Sequence, residues 1–367
     1  MNETHIAFMN RALALAQQGK GRTSPNPLVG AVIVNAGKIV GEGWHQKAGE
    51  PHAEIHALRA ASEKAKGGTL YVNLEPCCHW GRTPPCTDAL IEAGIAHVFA
   101  AHLDPNPKVA GKGIQQLAEA GIKVNVGVCA EAAENLNEIY IKHVKTGYPF
   151  VILKMAMSLD GKIATSAGES QWITSPASRQ KAHEVRDEVD AILVGIGTIV
   201  SDDPSLTTRL PDKRGKDATR VVLDSHGRTR TSTKIFNPES EAGVIIAVTP
   251  QAPDKNIATL EKAGAEVIVT PAKEGRVCFK TLMKTLGARG ITSVLVEGGG
   301  KVNASALTSG VVDKAMCFVA PKFIGGKDAP GALDGEGIKR LADAPELERL
   351  TITQLDCDLL IEGYFVK

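Results

Sequence analysis

The chain has 367 residues, of which 43% are hydrophobic and 23% charged, and a formal net charge of +1. That length exceeds one ordinary hydrophobic core, so a globular protein of two domains is expected. A surface so close to neutral gives no electrostatic support for binding a polynucleotide, although local basic residues suit a small phosphate. The first residues lack a basic stretch followed by an apolar run, and no apolar run approaches the roughly 20 residues that span a bilayer. No membrane partner is therefore expected. Of the seven cysteines, Cys77, Cys78 and Cys86 cluster and the rest are scattered. Such usage fits metal binding and buried thiols in a reducing, cytoplasmic compartment better than a disulfide framework.

The elements alternate along the chain. Residues 5–19 have the apolar spacing of an amphipathic helix, and Ser24-Pro25-Asn26-Pro27 is a turn cluster. Strands are expected at 29–34 and 38–40. Pro51 opens a helix that runs to residue 65, since proline is favoured in the first turn. Strand 69–74 ends at Glu75-Pro76, and a second helix is expected to begin near Cys77. Helix 86–93, strand 95–101, helix 113–120 and strand 122–128 follow, then one continuous helix over 131–144. Thr146-Gly147-Tyr148-Pro149 marks the boundary, giving domains 1–146 and 147–367. The second domain opens with strand 150–157. It continues through strands at 191–195, 220–224, 243–248, 266–269 and 293–297, with helices at 257–263, 279–289 and 303–309. Segments 313–321 and 350–365 read as closing strands. Alternating strands and helices place both domains in the α/β class.

The sharpest chemistry lies in His52-Ala53-Glu54, answered by Pro76-Cys77 and Cys86. One imidazole and two thiolates can hold Zn²⁺ and leave a fourth tetrahedral position for water. An acid two residues beyond the histidine can then move that water's protons. This is the H-x-E…P-C pattern of zinc-dependent base deaminases. A purely structural zinc site, with His79 or His45 as fourth ligand, leaves the acid unexplained. The cysteine spacing departs from the commoner P-C-x-x-C, and Cys78 competes as a ligand. In the second domain, Glu297-Gly298-Gly299-Gly300 joins an apolar strand to a helix, where backbone N–H groups can approach a phosphate. Gly195-Ile196-Gly197 lacks the third glycine of a dinucleotide fingerprint, so a conventional dinucleotide-binding fold is not indicated.

The long insert Pro76-Cys77-Cys78-His79-Trp80-Gly81-Arg82-Thr83-Pro84-Pro85-Cys86 closely resembles the deaminase half of the bifunctional riboflavin-biosynthesis deaminase–reductases. So do Pro25-Asn26-Pro27, Gly43-Trp44-His45, Gly49-Glu50-Pro51-His52-Ala53-Glu54 and Asp104-Pro105-Asn106-Pro107. The resemblance continues through Lys154-Met155-Ala156-Met157-Ser158-Leu159-Asp160-Gly161-Lys162, Gly168-Glu169-Ser170-Gln171-Trp172-Ile173-Thr174 and Asp202-Asp203-Pro204, and so covers nearly the whole chain. It implies a cytidine-deaminase-like α/β/α layer followed by a dihydrofolate-reductase-like α/β domain. The implied substrate is 2,5-diamino-6-(5-phosphoribosylamino)pyrimidin-4-one, first deaminated and then reduced at the ribosyl group to ribityl. The implied cofactors are Zn²⁺ and NADPH, and the family suggests a homo-oligomer.

Matched position by position, the resemblance makes His52, Cys77 and Cys86 metal ligands and Glu54 catalytic. Asn26, His45, His79 and Arg82 become contacts of the first substrate. In the second domain Lys154, Ser170, Arg186, Leu206, Arg209 and Glu297 become substrate contacts. The arginines suit the ribose phosphate, because guanidinium forks pair with phosphate oxygens. Ala156, Trp172, Thr198, Asp202 and Ser225 become cofactor contacts, with Gly299, Gly300, Lys301, Val302, Asn303, Ala304 and Ser305 cradling phosphates. The alternative is a deaminase of nucleic-acid bases, such as a tRNA-editing enzyme. The zinc pattern allows it; the near-neutral charge and the large second domain argue against it.

Overall fold

In a computed structural model, residues 3–81, 84–211, 215–236 and 239–366 are described. They form two compact units, Met1–Gly147 and Tyr148–Lys367.

In the first unit, helix α1 (Glu3–Gln17) precedes the antiparallel pair β1 (Gly30–Asn35) and β2 (Lys38–Trp44). Then come α2 (Ala53–Ala61), β3 (Thr69–Val72), α3 (Cys86–Glu92), β4 (His97–Ala100), α4 (Lys112–Glu119), β5 (Lys123–Val126), α5 (Ala130–Leu136) and α6 (Glu138–Thr146). The sheet order is β2-β1-β3-β4-β5, with β3, β4 and β5 parallel. Successive side chains of a strand face opposite sides. Ala31, Ile33, Leu70, Val72 and Val98 share one core with Ala53, Ala57, Leu90 and Leu117 of α2, α3 and α4. Val32, Val34, Tyr71 and Phe99 share the other with Met9, Ala12 and Leu13 of α1 and Ala133 of α5. The result is an α/β/α sandwich. Burial on both faces explains why these strands read as continuous apolar runs.

The second unit runs β6 (Phe150–Ser158), α7 (Pro176–Glu188), β7 (Ala191–Gly195), α8 (Ile196–Asp202), β8 (Thr219–Leu223), β9 (Val244–Val248), α9 (Asp254–Lys262) and β10 (Ala265–Val269). A short hairpin of β11 (Ala272–Lys273) and β12 (Arg276–Val277) leads to α10 (Phe279–Ala288), β13 (Ser293–Val296), α11 (Gly300–Thr308), β14 (Lys314–Ala320), β15 (Leu347–Leu355) and β16 (Asp358–Phe365). Nine strands pair in the order β10-β9-β8-β7-β13-β6-β14-β16-β15. They are parallel from β10 to β14, and the final hairpin adds antiparallel. The loops after β7, β8 and β13 therefore open at the same, carboxyl end of the sheet, where α/β sheets bind ligands.

Three expectations are corrected. Residues 131–144 are two helices, not one. They break at Asn137, whose backbone leaves the helical region (φ −104°, ψ 19°). Its buried amide accepts from the Leu28 N–H at 2.8 Å and donates to the Leu28 carbonyl at 2.9 Å. No helix begins at Cys77, which lies in an irregular loop. Pro84 and Pro85 disfavour helix just before Cys86, and the helix starts there. Helix α7 has no counterpart among the expected elements, because its charged run hides its apolar face. Its start is nonetheless signalled by Pro176 in the first turn and by Ser175, whose Oγ accepts from the Ser178 N–H at 3.2 Å.

Candidate active sites

The first site is built at the amino end of α2. Gly41 and Gly43 of β2 let that helix lie against the strand: a Cβ at Gly43 would collide with the Ala53 carbonyl and with the His56 Cβ. His52 is the N-cap of α2, and Glu54, in its first turn, is buried. The Cys77 Sγ lies 3.4 Å and the Cys86 Sγ 3.3 Å from the His52 Nδ1. A tetrahedral zinc, with Zn–N near 2.0 Å and Zn–S near 2.3 Å, holds N and S about 3.6 Å apart, so the triad fits this ion. Among the described residues only His52, Cys77 and Cys86 converge in this way. Neither Cys78, His79 nor His45 joins them.

The electrostatics suit a cation. Hydrogen bonds from the Cys86 thiol, from His52 and from the Cys86 backbone N–H (3.3 Å) pull the Cys77 thiol down to about 4. The Cys86 thiol is pushed up as its counterpart: without a cation, the two sulfurs share one proton. Burial raises the Glu54 carboxyl above its ordinary range, against the pull of His52. Its Oε2 is buried with no hydrogen-bond partner. A carboxylate oxygen held dry beside a ligand cluster is poised to carry protons.

Glu54, Asn26, His45 and His79 line one cavity of about 460 Å³ with His52 and Cys77. His45 is buried, and its Nδ1 lies 3.2 Å from the Pro51 carbonyl while its Nε2 lies 3.1 Å from the Asn26 Nδ2. The carbonyl can only accept, so Nδ1 carries the ring proton and Nε2 accepts from Asn26. Burial lowers the affinity of His45 for a second proton. The segment after Asn26 is pinned by Asn137 and by Asn73, which accepts from the Gly30 N–H (2.8 Å) and donates to the Leu28 carbonyl (2.8 Å). Arg82 and Thr83 lie outside the described residues.

Sequence reasoning missed Glu75. Its buried carboxylate accepts from the N–H groups of Asp104, Gly111, Gly113 and Ile114 at 2.9–3.2 Å, fixing the loop that presents Cys77. The signal available was a carboxylate at a strand end, directly before Pro-Cys.

In the second unit a cleft of about 890 Å³ gathers Ser170, Thr198, Asp202, Ser225, Glu297 and the glycine loop, including Gly299, Gly300, Lys301, Val302 and Ser305. The loop needs its glycines: a Cβ at Gly300 would meet the Asp334 carboxylate and the Gly331 carbonyl. Glu297, whose side chain is 8% exposed at the cleft, accepts two bonds from Arg186 (2.8 and 2.7 Å), and Lys154 Nζ lies 3.7 Å away. Burial would raise the Glu297 carboxyl, but Arg186 and Lys154 outweigh it and hold it at about 2. Lys154, Arg186, Leu206, Arg209, Ala156 and Trp172 are not on the cleft wall. Ala156 lies in β6, and Trp172 is exposed under the Arg179 guanidinium at 4.5 Å. Asn303 is buried and donates to the Ala332 carbonyl at 2.9 Å, and the Ala304 methyl lies beside Gly335. His226, Arg228 and Arg276 line the cleft and were not singled out from the sequence.

Residues 149–361 match the family model described as "RibD C-terminal domain", more than half of the chain. The chain belongs to the RibD family. Residues 2–102 match the "Cytidine and deoxycytidylate deaminase zinc-binding region". RibD-family relatives named "Riboflavin biosynthesis protein RibD" include one from Actinobacillus pleuropneumoniae, 43% identical over 98% of this chain and 95% of its own. Another, from Escherichia coli, is 43% identical over 96% and 97%. Among solved structures, Acinetobacter baumannii RibD superposes with a TM-score of 0.89 at 37% identity, covering 100% of this chain and 99% of its own. A Thermotoga maritima structure described as a diaminohydroxyphosphoribosylaminopyrimidine deaminase/5-amino-6-(5-phosphoribosylamino)uracil reductase superposes at 0.88, with 37% identity and 99% coverage of each. The protein is thus a riboflavin-biosynthesis enzyme, a pyrimidine deaminase and a reductase in one chain. A tRNA-editing enzyme with an accessory domain is not supported, since the second unit is the family's own reductase domain.

Proposed function

We propose that residues 1–146 deaminate 2,5-diamino-6-(5-phosphoribosylamino)pyrimidin-4-one and that residues 147–367 reduce the ribosyl group of the product with NADPH. The observation that carries the first half is the convergence of three ligand atoms beside a buried carboxylate whose Oε2 has no hydrogen-bond partner. His52, Cys77 and Cys86 would hold Zn²⁺, which when bound would make a water acidic enough to attack at neutral pH. Glu54 would carry the attacking water's two protons in turn, the first to a ring nitrogen and the second to the departing ammonia. One C–N bond breaks and one C–O bond forms, so an amine becomes a carbonyl. Asn26 and His45 orient the ring as a coupled pair, and His79 and Arg82 contact the substrate.

In the second unit, bound NADPH would be the source of the hydride that C1 of the ribosyl group needs in its open-chain or imine form, and the chain would supply the proton. Ser170, Lys154, Arg186, Leu206, Arg209 and Glu297 bind the substrate. Thr198, Asp202, Ser225 and the loop from Gly299 to Ser305 bind the cofactor, with Ala156 and Trp172 beside it. Seven free cysteines suit a cytoplasmic enzyme. The exposed edge strand β15 suits a homo-oligomer. Incubating the protein with the diamino phosphate, while following ammonia and NADPH absorbance separately, tests the reading. Ammonia release without NADPH, and NADPH consumption only after it, are expected. No ammonia from this substrate would overturn the proposal.

A further inference from the structure

Helix α7 grips the loop between α8 and β8 with three side chains of one helical face. Arg186 Nη1 donates to the Thr207 carbonyl at 3.2 Å. Asp187 accepts from the Lys216 N–H at 2.6 Å. His183, one turn earlier, accepts the Arg209 backbone N–H on its Nδ1 at 3.2 Å. Residues spaced three and four apart on a helix share a face, so the three act on one loop together. The loop is held in a costly shape, because Leu206, which has a branched side chain, sits at φ +52°.

The tautomer of His183 follows from this bond. A backbone N–H can only donate, so Nδ1 is bare and the ring proton is on Nε2. The surroundings keep the ring neutral: it is half-buried, and Arg186, Arg209 and Lys154 face it, opposed by Glu297. Arg186, Arg209 and Lys154 outnumber the Glu297 carboxylate here, and such a cluster of cations suits a phosphate.

We propose that His183 is a positioning residue for the substrate's phosphate, its Nδ1 fixing the backbone of Arg209 so that the guanidinium is presented to that anion. This rests on Arg209 being a substrate contact. Without the tether, Arg209 samples other positions, and affinity falls while the hydride step is spared.

The test compares three substitutions in the full chain, with reductase kinetics on the deaminated ribosyl phosphate and binding of D-ribose 5-phosphate as readouts. His183→Asn places an amide oxygen close to the position of Nδ1; His183→Gln places it near Nε2; His183→Leu removes both. The expected KM rise is about tenfold for the Gln and Leu variants, equal to the loss of one hydrogen bond of about 1.4 kcal/mol. The Asn variant should stay near wild type, and kcat should change little in all three. Ribose 5-phosphate affinity should follow KM. A Gln variant as good as the Asn variant, or an unchanged KM in both Gln and Leu variants, overturns the proposal. So does a loss confined to kcat. If His183→Leu does not fold, the Asn and Gln pair carries the comparison. Arg209→Ala separates the premises: with KM unchanged in that variant, the substrate reading fails; with KM raised there but not in His183→Gln, only the role of His183 fails.

Discussion

The residues that do chemistry here are set by what touches them. Glu297 is the clearest case in the second unit. Its carboxyl is held near 2 in the folded protein by Arg186 and Lys154 and would titrate in its ordinary range once unfolded. A depressed folded pKa contributes stability above the unfolded value, and that stability is lost as pH falls toward the folded one. The second unit should therefore lose on the order of 3 kcal/mol between about pH 4.5 and pH 2 from this group. Denaturant melts at stepped pH check this, with Glu297→Gln expected to flatten that part of the profile. An equally steep profile in the variant would contradict the assignment. Glu297 was singled out through the family resemblance, and it lies on the cleft wall. The contact of His183 with Arg209 could not be read in the sequence, because 26 residues separate the two.

At the scale of elements, strands and most helices were legible from apolar runs and their boundaries, because burial on both faces of each sheet leaves a continuous signal. The break at Asn137 was not, since its cause is Leu28, 109 residues away. At the break, Asn137 pins the strand entry that follows Asn26. Asn137→Ala removes two hydrogen bonds and leaves the Leu28 N–H without this partner. It should lower the stability of the first unit by about 1–3 kcal/mol, read from a denaturant melt. Deaminase KM should rise as the Asn26 turn loosens. A stable variant with unchanged KM would show that the break is incidental. The start expected at Cys77 failed for a different reason. Ligands in irregular loops carry no periodicity, and this one is organised by Glu75 through partners 29 to 39 residues away.

For the whole molecule, two units carry two chemistries, and the family resemblance was readable because its motifs are short and occur in order. The outer strand β15 is exposed along most of its length, with Leu350 and Ile352 open on the edge of a nine-stranded sheet. Such an edge invites pairing with another copy. Light scattering should give at least twice the 38.7 kDa of one chain, and Ile352→Lys should shift it toward one. A wild-type mass of one chain would refute this.

The claim on which the account turns is that Glu54 moves protons beside a zinc ion held by three side chains. The most direct measurement is Glu54→Gln in the full chain, with bound zinc, ammonia release and reduction of the deaminated substrate assayed in parallel. Zinc should remain at about one per chain, and NADPH consumption should match wild type. Ammonia release should fall by on the order of a thousandfold. Deamination near the wild-type rate in a variant that still holds zinc would contradict the account.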